Sequence, residues 1–219
     1  MAYRSILRQD CFAGQTVVVT GAGSGIGRCI AHELASLGAH VLITGRKLEK
    51  LERVLGEIVE DGGSGEAHDF DIRDEDAVKS AVAAMVERHG FIHGLVNNAG
   101  GQFPAPMEAI SKKGFEAVVS TNLTGGFLMM REVYALSMRK NGGAIVNIAA
   151  DFWRGMPGMA HSGAARAGMS NLTQTAAYEW GRAGVRVNCV APGWIDTEMS
   201  AEPYSDGGLV EIEKNIPIE

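Results

Sequence analysis

The sequence predicts an α/β fold in which helices cover a doubly wound parallel sheet. Short runs rich in valine and isoleucine alternate with amphipathic stretches, which is typical of repeated β-α units. A glycine-rich turn, Thr20–Gly27, joins the first of these runs to the first helical stretch. The chain of 219 residues is long enough for one sizeable core and too short for two, so we expect residues 1–219 to form a single domain.

Five apolar runs predict buried strands. They lie at 15–20, 40–44, 93–98, 143–149 and 185–191. The clearest helix is predicted at 74–89, where apolar residues recur at helical spacing along one face. These residues are Ala77, Val78, Ala81, Val82, Met85 and Val86. One stripe of this helix should therefore pack on the sheet.

Charge and composition argue against several classes of partner. The net charge is −6 and the basic residues are not clustered, so we expect no nucleic-acid partner. The apolar runs are too short to span a bilayer, so we expect no membrane association and a cytoplasmic location. Cys11, Cys29 and Cys189 are widely scattered, without the paired spacing of a zinc site or a disulfide framework. We therefore expect buried free thiols and no metal.

The strongest motif is TGAGSGIG, which lies between the first predicted strand and a helix. Gly21, Gly25 and Gly27 allow the backbone to turn sharply and to approach a pyrophosphate, which would bind at the helix N-terminus. Ser24 and Ile26 belong to the same turn. The alternative is a tight turn without a ligand. The flanking strand and helix favour nucleotide binding.

This spacing, followed by NNAG at 97–100, resembles the short-chain dehydrogenase/reductase family. Further motifs of that family follow in its order: Asp71-Ile72, Asn122 in TNLTGG, GGAIVNIAA at 142–150, HSGAARAG at 161–168 and PGWIDT at 192–197. The resemblance implies a Rossmann-like sheet, a nicotinamide cofactor and hydride transfer to or from a small-molecule substrate.

The resemblance also implies roles for individual residues. Asp71 and Ile72 would contact adenine, Asn98 would support the strand beside the cofactor, and Thr197 would hold the carboxamide. The other residues implied to contact the cofactor are Ala99, Gly100, Arg166, Pro192, Gly193 and Ile195.

Charge at the end of the second strand indicates which cofactor is used. A carboxylate there would bind the adenosine ribose and repel a 2′-phosphate, but the sequence reads Thr44-Gly45-Arg46-Lys47. Gly45 leaves space and Arg46 offers a planar donor fork, so we expect NADP(H) to be preferred over NAD(H). The alternative is that Arg46 and Lys47 are a solvated helix start. Arg28 is either a second phosphate partner or a surface charge.

The catalytic positions depart from the family pattern. Members that interconvert alcohols and carbonyls use Tyr-x-x-x-Lys with a serine and an asparagine. Here the tyrosine becomes Ser162, the lysine becomes Arg166 and the serine becomes Ala150, whereas Asn122 is retained. A serine hydroxyl is a much weaker acid than a phenol, and arginine exchanges no proton near neutral pH. We therefore expect simple alcohols to be poor substrates, with Asn122, Ser162 and Arg166 as the candidate catalytic residues.

The segment HSGAARAG resembles peroxisomal trans-2-enoyl-CoA reductases, and a serine in place of the tyrosine is similar to 2,4-dienoyl-CoA reductases. GQFPAPM at 101–107 and DFWRGMPGM at 151–159 resemble bacterial citronellol or citronellal dehydrogenases. We therefore predict NADP(H)-dependent reduction of an α,β-unsaturated acyl-CoA or a terpenoid thioester. One alternative is a terpenoid alcohol or aldehyde dehydrogenase. Another is a nucleotide-binding protein without catalysis.

The proton donor is left open. A tyrosine assigned to catalysis in the enoyl-CoA reductases falls at Ser170 here, so the candidates are His161 and Asp151. His161 is alternatively a cap or a packed residue, and Asp151 a loop ligand.

Around these positions, the sequence predicts an apolar substrate cavity lined by Trp153, Met156, Met159 and Trp194, with the protein core as the alternative. Arg154 would either contact a CoA phosphate or lie at the surface. Tyr134 and Tyr178 are expected to pack within helices.

The C-terminal part carries two further expectations. A loop is predicted at 201–208, where Pro, Ser, Asp and Gly cluster. Family members continue beyond the position of Glu219 with a helix and a final strand, so we expect either a shortened chain or a sheet without its last edge strand. We also expect a homo-oligomer, either a tetramer or a dimer.

Overall fold

The computed structural model describes residues 5–198. The loop expected at 201–208 and the expected loss of a final strand concern residues outside this range.

Six parallel strands form one sheet. They are β1 (Thr16–Thr20), β2 (His40–Gly45), β3 (Ser64–Asp69), β4 (Gly94–Asn97), β5 (Gly143–Ile148) and β6 (Val185–Val190). Their order across the sheet is β3-β2-β1-β4-β5-β6, and every neighbouring pair is parallel. The predicted Rossmann-like α/β fold is therefore confirmed, with the change of winding direction between β1 and β4.

Helices connect successive strands and cover both faces of the sheet. They are α1 (Gly25–Ser36), α2 (Leu48–Glu60), α3 (Glu75–His89), α4 (Lys112–Val119), α5 (Gly126–Val133), α6 (Arg139–Asn141) and α7 (Ala160–Trp180). Two π-helical turns, Ser120–Gly125 and Tyr134–Met138, separate α4, α5 and α6. Single 3₁₀ turns lie at Met107–Ala109 and Gly181–Ala183.

The core has two layers because successive side chains of a strand point to opposite faces. In β1, Val17 and Val19 pack with α1 and α2, whereas Val18 packs with α3, α5 and α7. All three valines are almost completely buried. The sheet is thus apolar on both faces, as its continuous valine and isoleucine runs predict.

Helix α3 agrees closely with the helix predicted at 74–89. Asp74 caps its N-terminus, since its carboxylate accepts hydrogen bonds from the amides of Asp76 and Ala77. Val78, Val82 and Met85 are the buried residues of the predicted stripe.

Two predictions about packing are wrong. Cys11 and Cys29 are exposed and Cys189 is half-buried, so the thiols do not form part of the core. Cys29 lies on the outer side of α1, whose inner side is formed by smaller residues and His32. Tyr178 is 89% exposed, whereas Tyr134 packs as expected, with its ring stacked 4.2 Å from that of Trp180. No helix among residues 5–198 is both long and apolar enough to cross a membrane.

Candidate functional site

A cleft of about 550 Å³ lies at the carboxyl ends of the central strands. The turn after β1 and the segments after β2, β4 and β5 contribute to its walls. This is the edge of a doubly wound sheet where ligands bind, beside the change of winding direction. All the cofactor residues predicted from the sequence line the cleft except Gly27, which lies beneath the turn.

The glycine turn packs too closely on the neighbouring strand for larger residues. Gly21 has a φ of +67°, and a Cβ built on it would lie 2.8 Å from the Cα of Ala99. A Cβ on Gly27 would overlap the side-chain amide of Asn98 and the carbonyl oxygen of Gly21. Glycine is thus required at both positions, which accounts for the spacing of the motif.

Thr20 and Asn98 join the ends of β1 and β4. The Thr20 hydroxyl accepts hydrogen bonds from the amides of Asn98 and Ala99, both at 3.0 Å. The Asn98 side-chain amide donates to the Thr20 carbonyl, also at 3.0 Å. These bonds fix the floor of the cleft.

The N-terminus of α1 presents a backbone donor to the cleft. The amide of Gly25 donates to Oε2 of Glu198 at 3.1 Å. A carboxylate is the kind of anion that a helix N-terminus stabilises, and a phosphate would use the same donor.

The end of β2 is basic. Arg46 and Lys47 are exposed and line the cleft, beside Gly45. The acid nearest along this wall, Asp71, is bound by Arg73, whose Nε lies 2.9 Å from Oδ1. This hydrogen bond lowers the pKa of Asp71.

Arg28 lies outside the cleft lining. Its Nε donates to the Glu57 carboxylate at 2.7 Å, which joins α1 to α2. Glu198, which accepts from the Gly25 amide, also interacts electrostatically with Arg28, so Arg28 stays a candidate phosphate partner.

Asn122, Ser162 and Gln102 form a hydrogen-bonded chain. Asn122 lies in a π-helical turn, and its Oδ1 accepts from the Gly101 amide at 2.8 Å. Its Nδ2 lies 3.5 Å from the Ser162 hydroxyl, which donates to Oε1 of Gln102 at 2.7 Å. Asn122 and Ser162 are buried and do not line the cleft, whereas Gln102 is exposed and does. Sequence reasoning missed Gln102, although it directly follows the NNAGG segment.

Arg166 places a buried positive charge in the cleft wall. Its Nη1 donates to the Ile148 carbonyl at 2.6 Å, while its Nε has no hydrogen-bond partner among the described residues. Burial lowers the pKa of Arg166 to about 10, so the group stays charged at neutral pH. A Cβ on Gly100 would collide with Nη2, so glycine there makes room for the guanidinium.

Neither candidate proton donor lines the cleft. His161 is completely buried, and its Nδ1 accepts from the Ser162 amide at 2.8 Å. The neutral ring therefore carries its proton on Nε2, which has no partner in the described residues. Asp151 is exposed and lies outside the cleft lining.

The predicted apolar cavity is correct for two of its four residues. Met159 and Trp194 line the cleft. Trp153 is 74% exposed, Met156 is half-buried and packs beside Gly163 of α7, and both lie outside the lining. Arg154 is exposed.

The sequence profile described as short chain dehydrogenase matches residues 15–207. The chain belongs to the short chain dehydrogenase family. It is therefore an oxidoreductase of a family that uses a nicotinamide cofactor and small-molecule substrates.

Among solved structures, the chain resembles the citronellol catabolism dehydrogenase AtuB of Pseudomonas aeruginosa, with 65% identity and a TM-score of 0.85 over 88% of this chain and 79% of that one. It also resembles a putative NAD(P)-dependent gluconate 5-dehydrogenase of Beutenbergia cavernae with bound NADP, with 37% identity and a TM-score of 0.88 over 94% and 82%. A probable 2,4-dienoyl-CoA reductase of Bacillus subtilis is 34% identical over 209 residues, which are 93% of this chain and 82% of the relative.

Proposed function

We propose that this short chain dehydrogenase is an NADPH-dependent reductase of carbon–carbon double bonds conjugated to a thioester. The expected substrates are α,β-unsaturated acyl-CoAs, including the branched thioesters of acyclic terpenoids. The similarity to a 2,4-dienoyl-CoA reductase and to a citronellol catabolism dehydrogenase supports both the reaction and the branched substrate.

The described residues fit a nicotinamide dinucleotide. The turn at Gly21 approaches the neighbouring strand as closely as a backbone can, and the Gly25 amide already holds a carboxylate. Arg46 lies in the open at the end of β2, where a 2′-phosphate would meet its donor fork. The bound cofactor would supply the hydride for reduction.

The observation that carries the proposal is the lack of a phenol among the described residues that line the cleft. Neither tyrosine of the described range, Tyr134 or Tyr178, lines it. At the catalytic end the wall includes Ala150, Met159 and Arg166. Carbonyl reduction requires an acid beside the oxygen, whereas reduction of an enoyl thioester requires stabilisation of negative charge on the thioester oxygen and a proton at carbon.

Arg166 and Gln102 are suited to stabilising negative charge on the thioester oxygen. The guanidinium is charged and nearly desolvated, so its electrostatic effect on a developing anion is stronger than in water. The Ser162 hydroxyl donates to the carboxamide oxygen of Gln102 and so orients that side chain. The amide hydrogens of Gln102 are then available to a substrate oxygen. In this proposal water in the open cleft supplies the proton to carbon.

The test follows oxidation of NADPH with straight and branched trans-2-enoyl-CoAs, dienoyl-CoAs, citronellol, geraniol and their aldehydes. We expect turnover with the unsaturated thioesters. Arg166→Gln and Gln102→Leu should reduce kcat by about 10²–10³-fold, as for loss of an oxyanion donor. Tyr178→Phe should match the wild type because that ring is exposed. His161→Gln tests the remaining buried candidate for the proton donor. A selective loss of kcat in this variant would identify His161, instead of water, as the group that protonates carbon.

A second candidate is a terpenoid alcohol or aldehyde dehydrogenase. The 65% identity to a citronellol catabolism dehydrogenase favours it. Activity confined to citronellol, geraniol or their aldehydes would establish this function and reject the thioester reductase. Tight cofactor binding without turnover of any substrate would support a nucleotide-binding protein without catalysis.

We further propose that the protein is a cytoplasmic homo-oligomer, a tetramer or a dimer. Light scattering of the purified chain at several concentrations measures the oligomeric state, and a monomer at all concentrations would contradict the proposed oligomer.

A further inference from the structure

Two imidazoles and a carboxylate lie close together at the end of the sheet opposite the cleft. His40 begins β2, Glu66 lies near the start of β3, and His89 ends α3. The His40 Nε2 and the His89 Nε2 lie 3.7 Å and 3.4 Å from the same oxygen of Glu66, Oε1. All three ligand atoms lie within 4.8 Å of one another.

The two imidazoles lack the partners that buried nitrogen atoms normally have. The Nε2 atoms of His40 and His89 are shielded from solvent and have no hydrogen-bond partner among residues 5–198. Such atoms are rare in folded proteins, and each costs free energy unless an ion or a water molecule satisfies it. Two of them directed at one carboxylate indicate a missing common partner.

The distances suit a small divalent ion. With bonds of 2.0–2.1 Å, the ligand atoms of a tetrahedral zinc ion lie about 3.4 Å apart. The His89 Nε2 to Glu66 Oε1 distance already has this value, and the His40 distance exceeds it by 0.3 Å. Two of the three ligand distances are thus within 0.3 Å of the tetrahedral value, and the third is at most 4.8 Å.

The orientation of His40 also favours metal binding. Its Nδ1 lies 3.1 Å from the Ser64 hydroxyl. When Nδ1 donates this bond, Nε2 keeps a free electron pair, which is the usual arrangement of a metal-ligating histidine. A third imidazole faces the Glu66 carboxylate, since the His68 Nε2 lies 3.6 Å from its other oxygen, Oε2, and also has no hydrogen-bond partner among the described residues.

Arg88 would compete with a metal ion for the Glu66 carboxylate. Its Nε lies 3.1 Å from Oε1 of Glu66, but its side chain is 71% exposed. The guanidinium can turn into solvent when a cation replaces it, at the small cost of a surface ion pair.

We propose that His40, Glu66 and His89 form a binding site for a divalent transition metal, with zinc as the ion that this ligand set fits best. Two imidazoles and one carboxylate are common zinc ligands, and the fourth position opens to a cleft of about 360 Å³. The ion would tie β2, β3 and α3 together at the end of the sheet remote from the nucleotide cleft.

The test uses the full chain without an affinity tag, treated with chelator and carrying Cys11→Ser and Cys29→Ser so that exposed thiols do not bind metal. Zn²⁺ is titrated against a chromophoric chelator, and Co²⁺ is followed by its visible absorption. We expect one equivalent of metal and a higher unfolding temperature with Zn²⁺.

Glu66→Gln and His89→Gln should each weaken Zn²⁺ binding by at least about tenfold and abolish the rise in unfolding temperature. Glu87→Gln is the matched control, since it removes the same charge from an exposed site beside the ligands and should bind like the parent. Arg88→Gln should bind more tightly. Absence of stoichiometric binding in the parent, or equal binding in Glu66→Gln, His89→Gln and Glu87→Gln, would overturn the proposal.

Discussion

Arg46 is the residue on which cofactor choice depends. It lies exposed at the end of β2, and the nearby acid Asp71 is hydrogen-bonded by Arg73, so the Arg46 guanidinium can bind a 2′-phosphate. Arg46→Ala should weaken NADPH binding by about 1–3 kcal/mol, the range for a charge-assisted hydrogen bond to phosphate, and leave NADH unchanged. Titration of nicotinamide fluorescence measures both affinities.

The control for this prediction is Lys113→Ala, which removes one positive charge from an exposed position on α4. It should leave both affinities unchanged. Equal affinity of the wild type for NADPH and NADH would show that Arg46 only begins a helix.

For individual residues, the sequence predicted backbone positions better than side-chain contacts. The glycine turn was predictable because its glycines form a short, recognisable pattern, although the close approach that requires them is to Asn98 and Ala99, which directly follow another strand. The burial of Ser162 behind Gln102 was not, since it depends on a π-helical turn that brings Asn122 next to both. Nothing in the local pattern of TNLTGG specifies that turn.

At the level of elements, a pair of glycine substitutions separates close packing from helix propensity. Gly27 at the start of α1 has no room for a Cβ, because the carbonyl oxygen of Gly21 occupies that space. Gly56 in α2 has nothing within 4 Å of the same position. Gly27→Ala should therefore lower the free energy of unfolding by about 1–3 kcal/mol through overpacking, and should weaken cofactor binding.

Gly56→Ala should instead raise the free energy of unfolding by about 0.5–1 kcal/mol, since alanine loses less conformational entropy in a helix. Urea denaturation of both variants checks the pair. Similar stabilities of the two variants would mean that the turn at Gly21 yields to an added methyl group.

The contact between α1 and α2 should depend on pH. The hydrogen bond from Arg28 lowers the pKa of Glu57, and a further bond from His32 acts in the same direction. A depressed carboxyl pKa stabilises the fold above the unfolded value near 4.5, and this contribution is lost as the pH falls through the folded value. Glu57→Gln should thus cost about 0.5–1 kcal/mol at pH 7 and nothing near pH 3.

The free energy of unfolding at both pH values, measured by denaturant titration, tests this contact. Glu60→Gln is the control, because Glu60 is exposed in the same helix. A cost that persists at the lower pH would assign the effect to packing of the side chain.

The strands that sequence patterns predict are those that carry an apolar run, including β6, which lies at the edge of the sheet with one face exposed. All five predicted strands are present, with ends that differ by at most one residue. The missed strand, β3, reads SGEAHD and lies at the edge of the sheet, where its residues are half-buried or exposed. Because none of its residues is fully buried, β3 needs no apolar run, and its sequence resembles a loop.

For the whole molecule, the strand order fixes where both sites lie. The nucleotide cleft follows from the change of winding between β1 and β4, which motif spacing predicts. The proposed metal site depends on the pairing of His40 with Ser64 in adjacent strands, and its ligands come from three elements. Cysteine spacing, the signal used for metals in the sequence, carries no information about such a site.

The bond between the Gly25 amide and Glu198 gives the chain a tethered competitor for its own cofactor. A carboxylate joined to the protein acts at a high effective concentration, so an incoming pyrophosphate must first displace it. The apparent dissociation constant for NADPH then equals the intrinsic one divided by the fraction of molecules in which Glu198 has left the helix end. Glu198→Gln should lower this constant about two- to fivefold, mainly through faster association, as stopped-flow fluorescence would detect. Unchanged association in that variant would mean that the carboxylate leaves the amide before the nucleotide arrives.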